Sequence, residues 1–159
     1  MATSGAAQVA WDARPESDRF AWLAFRRAAV ELIAVLDADL QQHQQLGFTD
    51  FDALIRLLNA PEHTMRMADL ARAVSRSPSA LTRLVSRLET RQLVTRSRRS
   101  ATEVTVTVTD QGLTLLDEAA PRHLDLVGQL FWTPLTPEQR TQLGGLCQQL
   151  IDTPRCPAP

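Results

Sequence analysis

Arginine carries most of the chemistry that this sequence concentrates in one place. Nine arginines, at 66, 72, 76, 83, 87, 91, 96, 98 and 99, lie between positions 66 and 99, where only Asp69 and Glu89 oppose them. That stretch has seven surplus positive charges, whereas the whole chain has a formal net charge of −1, so the remainder is acidic by eight. All 17 basic side chains are arginine. Its planar fork of donors matches phosphate oxygens and the guanine edge. Segregated charge of this kind predicts an anionic partner at one surface. Short hydroxyls at Ser77, Ser79, Thr82 and Ser86 are interleaved with the arginines.

Other chemistries lack their residues. Carboxylate pairs at 37/39, 50/52 and 117/118 sit at helix ends or on helix faces, where solvation accounts for them. His43, His63 and His123 are far apart, and Cys147 and Cys156 give neither a metal spacing nor a disulfide framework. Cys147 reads as a small buried hydrophobe, and Cys156, beside Arg155, as an exposed thiol. There is no glycine-rich phosphate loop and no nucleophile elbow, so neither an enzyme nor a cofactor is expected.

The elements that position the arginines follow from periodicity and caps. The 159 residues, 44% hydrophobic and 22% charged, suffice for one folded domain. Residues 1–15 read as a flexible tail. Apolar residues at 20, 23, 30, 33, 36 and 40 predict a long helix from 16 to 46, stopped at Gly47. Thr49 as N-cap predicts a helix over 50–59, broken by Pro61. A short helix over 67–74 follows, then a turn at Ser75 and Arg76.

Ser77 as N-cap and Pro78 at the first helical position start a helix to about 91. Its apolar residues, Leu81, Leu84, Val85 and Leu88, fall at i, i+3, i+4 and i+7. Ser79, Thr82, Arg83, Ser86 and Arg87 occupy the opposite face. Strand character over 93–97 and 102–108 predicts a β-hairpin with Arg98 and Arg99 at its tip. Thr109 caps a helix over 110–131 that Pro121 should kink. Thr136-Pro137-Glu138-Gln139 starts the last helix, to about 152, and 153–159 reads as a disordered tail. The expected fold is mainly α, with six helices and a small β-hairpin wing.

A short helix, a tight turn, a second helix with a polar basic face and a basic hairpin form a winged helix-turn-helix. The major groove admits one such helix. Ser79, Thr82 and Arg83 are the expected base readers, with Ser77, Arg76 and Arg87 flanking them at the phosphates. Arg98 and Arg99 are placed to reach a minor groove.

Several segments resemble the MarR family of bacterial regulators: Met67-Ala68-Asp69-Leu70-Ala71, Ser77 through Glu89, Leu93-Val94-Thr95-Arg96 and Thr109-Asp110-Gln111-Gly112. The resemblance spans roughly 16–152. It implies an intertwined homodimer, with a dimerisation helix over 16–47, the DNA-binding domain over 48–112 and C-terminal dimerisation helices over 113–152. It also implies a ligand-responsive repressor on a pseudo-palindromic operator in double-stranded DNA, released by a small, often phenolic, effector; Arg26 and His43 on the first helix extend the expectation to an anionic one. Ser79, Thr82 and Arg83 match the family's recognition positions, and Arg96 the arginine that starts the wing. The chain departs from the pattern in two places. The wing, 97–102, is short and lacks the usual aspartate, and Gln92 replaces a glycine. At that position either the glutamine turns left-handed, at about 1 kcal/mol, or the helix runs on.

Trp22, Arg26 and Phe48 are the candidate effector contacts. With no membrane span or secretory signal visible, the expected compartment is the cytoplasm. A rival reading, prompted by the altered wing, is a repurposed MarR-like protein that binds or transforms a small molecule and has lost operator binding.

Overall fold

The computed structural model describes residues 5–98, 100 and 103–153. Arg99, Cys156 and most of the expected C-terminal tail lie outside the described residues. Seven α-helices and a three-stranded sheet are present among them: α1 (Ala6–Asp12), α2 (Glu16–Gln44), α3 (Phe48–Leu58), β1 (Thr64–Arg66), α4 (Met67–Ala73), α5 (Pro78–Thr90), β2 (Val94–Arg98), β3 (Val104–Val108), α6 (Asp110–Val127) and α7 (Pro137–Asp152). No described helix is long and apolar enough to cross a membrane.

The seventh helix corrects the expected flexible tail. Ala6, Ala7 and Ala10 favour helix intrinsically, and α1 is tied to α2 by Arg19 and Asp12 at 3.3 Å. A second correction is β1, which extends the hairpin to an antiparallel sheet in the order β1-β3-β2. Its three residues are too few for an alternation to declare itself. Thr64 and Thr107 share a hydroxyl hydrogen bond of 2.8 Å across that pairing.

Helix boundaries also shift for identifiable reasons. α3 begins at Phe48 with Gly47 as N-cap, not at Thr49. The orphan N–H of Phe48 donates instead to Asp37 Oδ1 of α2 at 2.6 Å. α6 runs through Pro121 without interruption, and the change of pitch comes later, in a π-helical turn over Gly128–Trp132. α7 opens on a complete capping box between Thr136 and Gln139.

The core lies within the winged-helix region and its two flanking joints. Leu54, Leu57, Leu70, Leu81, Val85, Leu88, Leu93 and Val106 are buried, with Leu40 and Leu46 from the end of α2 and Leu116 from α6. By contrast, α1 and α7 bury no residue, and Leu40 is the one buried residue of α2. Phe20 is 73% exposed, and Trp22, Leu23, Phe25, Val30 and Ile33 are exposed with it, as are Leu146, Leu150 and Ile151 of α7.

Two close joints hold α5, the wing and α6 together. Gln92 adopts φ 58°, and the N–H groups of Gln92 and Leu93 donate to the carbonyls of Glu89 and Leu88 at 2.8 and 3.0 Å. This pair of bonds is a Schellman ending, with Leu88 and Leu93 supplying its hydrophobic contact. The helix therefore stops, and the glutamine takes the left-handed position. At the second joint, the Thr109 N–H donates to the Leu93 carbonyl at 3.1 Å. The Thr109 hydroxyl donates to Gln92 O at 2.6 Å. A Cβ on Gly112 would collide with the Leu93 carbonyl and lie 2.8 Å from Val108 Cγ1. Gly112→Ala should therefore destabilise the protein by about 1–3 kcal/mol. A thermal midpoint equal to that of the parent would show that this joint has slack.

Candidate nucleic-acid interface

Packing fixes which face α5 presents. Leu81, Leu84, Val85 and Leu88 are buried, so Ser79, Thr82, Arg83, Ser86 and Arg87 point outward, and all five are exposed. Ser77 caps the helix by accepting from the Ala80 N–H at 3.3 Å, and its hydroxyl lies 3.3 Å from that of Ser79. The Thr82 hydroxyl donates to the Pro78 carbonyl at 2.9 Å, which leaves its lone pairs facing solvent. Arg83 is exposed and has no hydrogen-bond or ion-pair partner among the described residues.

The turn before α5 is built without glycine. Ser75 takes φ 51°, and the N–H groups of Ser75 and Arg76 donate back to Arg72 and Ala71 at 3.1 and 2.9 Å. This second Schellman ending aims Arg76 at α3, where its Nη2 donates to Thr49 Oγ1 at 2.7 Å. Thr49, expected as an N-cap, serves here as an acceptor between helices.

The remaining arginines are less free than their sequence positions suggest. Arg87, expected at a phosphate, is paired with Asp50 of α3, Nη2 to Oδ1 at 2.6 Å and Nε to Oδ2 at 3.4 Å. Arg96, the expected wing arginine, donates from Nη2 to Ser86 Oγ at 2.6 Å. Its Nε lies 2.8 Å from Glu89 Oε2, an ion-pair contact whose N–H direction falls short of a hydrogen bond. Arg66 pairs with Glu103 at 3.0 Å and Arg72 with Asp69. Arg91 donates to the Gln45 and Gln44 carbonyls at 2.7 and 3.0 Å, capping the end of α2. Arg98, at the end of β2, is exposed and pairs with no acidic group among the described residues. A cleft of about 840 Å³ is lined by Arg66, Arg72, Arg76 and Arg96 together with Leu81 and Val104.

The three candidate effector contacts do not come together. Trp22 and Arg26 are exposed on the first half of α2. Phe48 instead lines a cleft of about 260 Å³ between α3 and α6, with Phe51, Ile55, His123 and Leu124. The His123 ring lies 4.6 Å from that of Phe51 and 6.5 Å from that of Phe48, tilted to both. Burial pushes its pKa below the usual histidine value, against a weaker opposing pull from Asp39. Sequence reasoning missed His123 because its ring partners, Phe51 and Phe48, lie 72 and 75 positions away in sequence, beyond any periodic signal. Next to it, Arg122 grips Asp39 of α2 through Nε and Nη2, at 2.8 and 2.6 Å. Hydrogen bonding to Arg122 holds the Asp39 carboxyl below the usual carboxylate range.

A MarR family model matches residues 48–101. Sco3205, a MarR family transcriptional regulator from Streptomyces coelicolor solved in complex with DNA, is 28% identical at a TM-score of 0.85, covering 89% of this chain and 91% of its own. AbsC, a MarR family transcriptional regulator from the same organism, is 28% identical at a TM-score of 0.82, covering 87% and 95%. BpsR of Bordetella bronchiseptica, whose DNA binding is regulated by 6-hydroxynicotinic acid, shares the fold at 23% identity and a TM-score of 0.71, covering 83% and 98%. No curated protein matches the sequence significantly.

The lowered His123 pKa sets a pH dependence of stability. Below about pH 6.5 the unfolded chain takes up a proton that folded His123 resists, so acidification favours unfolding. Stability should be full above that value and decline as the pH falls toward the lower folded value. His123→Gln should flatten the decline. Denaturant midpoints between about pH 7.5 and 5.5 read it directly, and an equal slope in parent and variant would remove His123 as its source.

Proposed function

We propose that this chain, whose residues 48–101 match the MarR family model, is a cytoplasmic regulator that binds a pseudo-palindromic operator as a homodimer and responds to a small molecule. The observation that carries the reading is the outer face of α5. Its hydroxyls and the unpartnered guanidinium of Arg83 stand clear of the core on a helix whose rotation is fixed. Ser79, Thr82 and Arg83 read base edges in the major groove, and Ser77 and Arg76 contact the flanking backbone. Arg98, with Arg99 beside it in sequence, reaches outward from the wing. Arg87 and Arg96 chiefly hold α5 against α3 and the wing.

The exposed apolar faces of α2 and α7 supply the second half of the reading. Phe20, Leu23, Val30, Ile33, Leu146 and Leu150 are too much apolar surface to leave in water. A second copy of the chain covers them and places two recognition helices in successive major grooves, about 10 bp apart. Such a protein represses by occupying its operator. The cleft of Phe48, Phe51 and His123, with Asp52 in its lining, suits a small planar phenolic effector; the DNA binding of BpsR is regulated by 6-hydroxynicotinic acid. Lying between α3 and α6, it is placed to bias the spacing of the two lobes. No chemical step is assigned to the chain.

Two measurements test this reading. Duplexes selected by the protein from a random pool should bind Arg83→Ala more weakly by about 1–3 kcal/mol, roughly 5- to 150-fold. Equal affinity would remove Arg83 from base reading. Sedimentation equilibrium should give twice the chain mass of 17.7 kDa, and Leu150→Glu should shift it toward the monomer. A parent chain that sediments as a monomer at micromolar concentration would remove the twofold arrangement.

A further inference from the structure

Arg83 and Arg87 stand one helical turn apart on the same outer face of α5, and the fold treats them differently. Arg83 has no partner among the described residues. Arg87 keeps its side chain 59% exposed yet spends its charge on Asp50. We infer that Asp50 withholds Arg87 from the DNA backbone and thereby sets the balance between sequence-specific and sequence-independent binding; this rests on the DNA-binding function proposed above.

Three features of the structure support the inference. Asp50 is 8% exposed and sits in the first turn of α3, on an element separate from α5. Its position is anchored from behind, because the neighbouring Phe48 N–H is held by Asp37 of α2 at 2.6 Å. Asp50 therefore cannot follow Arg87 outward. Pulling the guanidinium away would strand a largely buried carboxylate without its counter-charge, which is strongly unfavourable. A phosphate must compete against that cost, so Arg87 stays with Asp50 when DNA is bound.

Arg76 makes an instructive contrast. Its acceptor on the same turn of α3 is the neutral hydroxyl of Thr49, which orients the guanidinium without cancelling its charge. The first turn of α3 thus aims one arginine and neutralises the other. Neutralising an arginine beside the base-reading residues removes attraction that would act equally on every sequence.

The test is the salt dependence of binding, measured by fluorescence anisotropy on a selected duplex and an unrelated duplex of equal length. Each additional phosphate neutralised steepens the log–log slope by about 0.9. Asp50→Asn should release Arg87 and steepen the slope by that amount on both duplexes. Between about 50 and 200 mM salt it should therefore lose roughly 3.5-fold more affinity than the parent does. Its preference for the selected duplex should narrow. Arg87→Gln in the parent should leave the slope unchanged, and Arg87→Gln added to Asp50→Asn should restore it. A change in helix packing alone would alter affinity without altering this count of released ions.

If either single variant fails to fold, the double variant Asp50→Asn/Arg87→Gln, which strands no buried charge, decides alone: a slope equal to the parent's supports the inference. A slope shallower by about 0.9 shows Arg87 already at a phosphate and overturns it. A folded Asp50→Asn with the parent's slope also overturns it and leaves operator binding standing. A parent chain that binds neither duplex removes the DNA-binding reading itself, and the inference with it.

Discussion

Burial of one apolar stripe, Leu81, Leu84, Val85 and Leu88, fixes the rotation of α5 about its own axis, and the rest of the binding face depends on it. Each of these side chains contributes about 1.5–3 kcal/mol by leaving water. Turning the helix by one residue would move the stripe by about 100° and forfeit much of that gain. The residues between the stripe positions therefore have a fixed outward direction before any partner arrives. Two ion pairs on opposite flanks, Arg87 with Asp50 and Arg96 with Glu89, reinforce the setting from α3 and from the wing.

Those same pairs change what the charge count means. As a linear string, 66–99 is a block of arginines with little opposition. In the fold, Arg66, Arg72, Arg87 and Arg96 each face a carboxylate, two of these from outside the block, at Glu103 and Asp50. Among the described residues the surface is thereby converted from a diffuse cation into a few guanidiniums that face no carboxylate, Arg83 and Arg98 among them. A diffuse cation holds any polyanion, whereas isolated, oriented guanidiniums discriminate among base edges.

How much of this was legible in the sequence depended on range. Ser77-Pro78 and the leucine stripe place α5 almost to the residue, and Thr136 to Gln139 do the same for α7, because caps and periodicity are local. The three residues of β1 were invisible because their only signal is their pairing with β3. Residues 6–12 form a helix that composition does not announce, because a small-residue tail and an alanine-favoured helix share it. The site shows the same division. Exposure of Ser79, Thr82 and Arg83 follows from the stripe, but the partner of Arg87 lies 37 positions away and that of Arg122 lies 83 away. Neither separation leaves a trace in local pattern. The effector contacts fared worst, since Phe48 acquires its neighbour His123 only when α6 folds back over α3.

The corners of the fold are turned by residues that hold the left-handed conformation at a disadvantage. Gln45, Ser75 and Gln92 each end a helix with φ between 51° and 58°, where a side chain costs on the order of 1 kcal/mol relative to glycine. Part of that would return to the unfolded chain, which glycine makes more disordered. The remainder is thermal tolerance that natural selection has left unclaimed. A version of this protein suited to hotter surroundings lies only a few codon changes away, and two of those positions, Gln45 and Gln92, lie outside α5 and the turn before it.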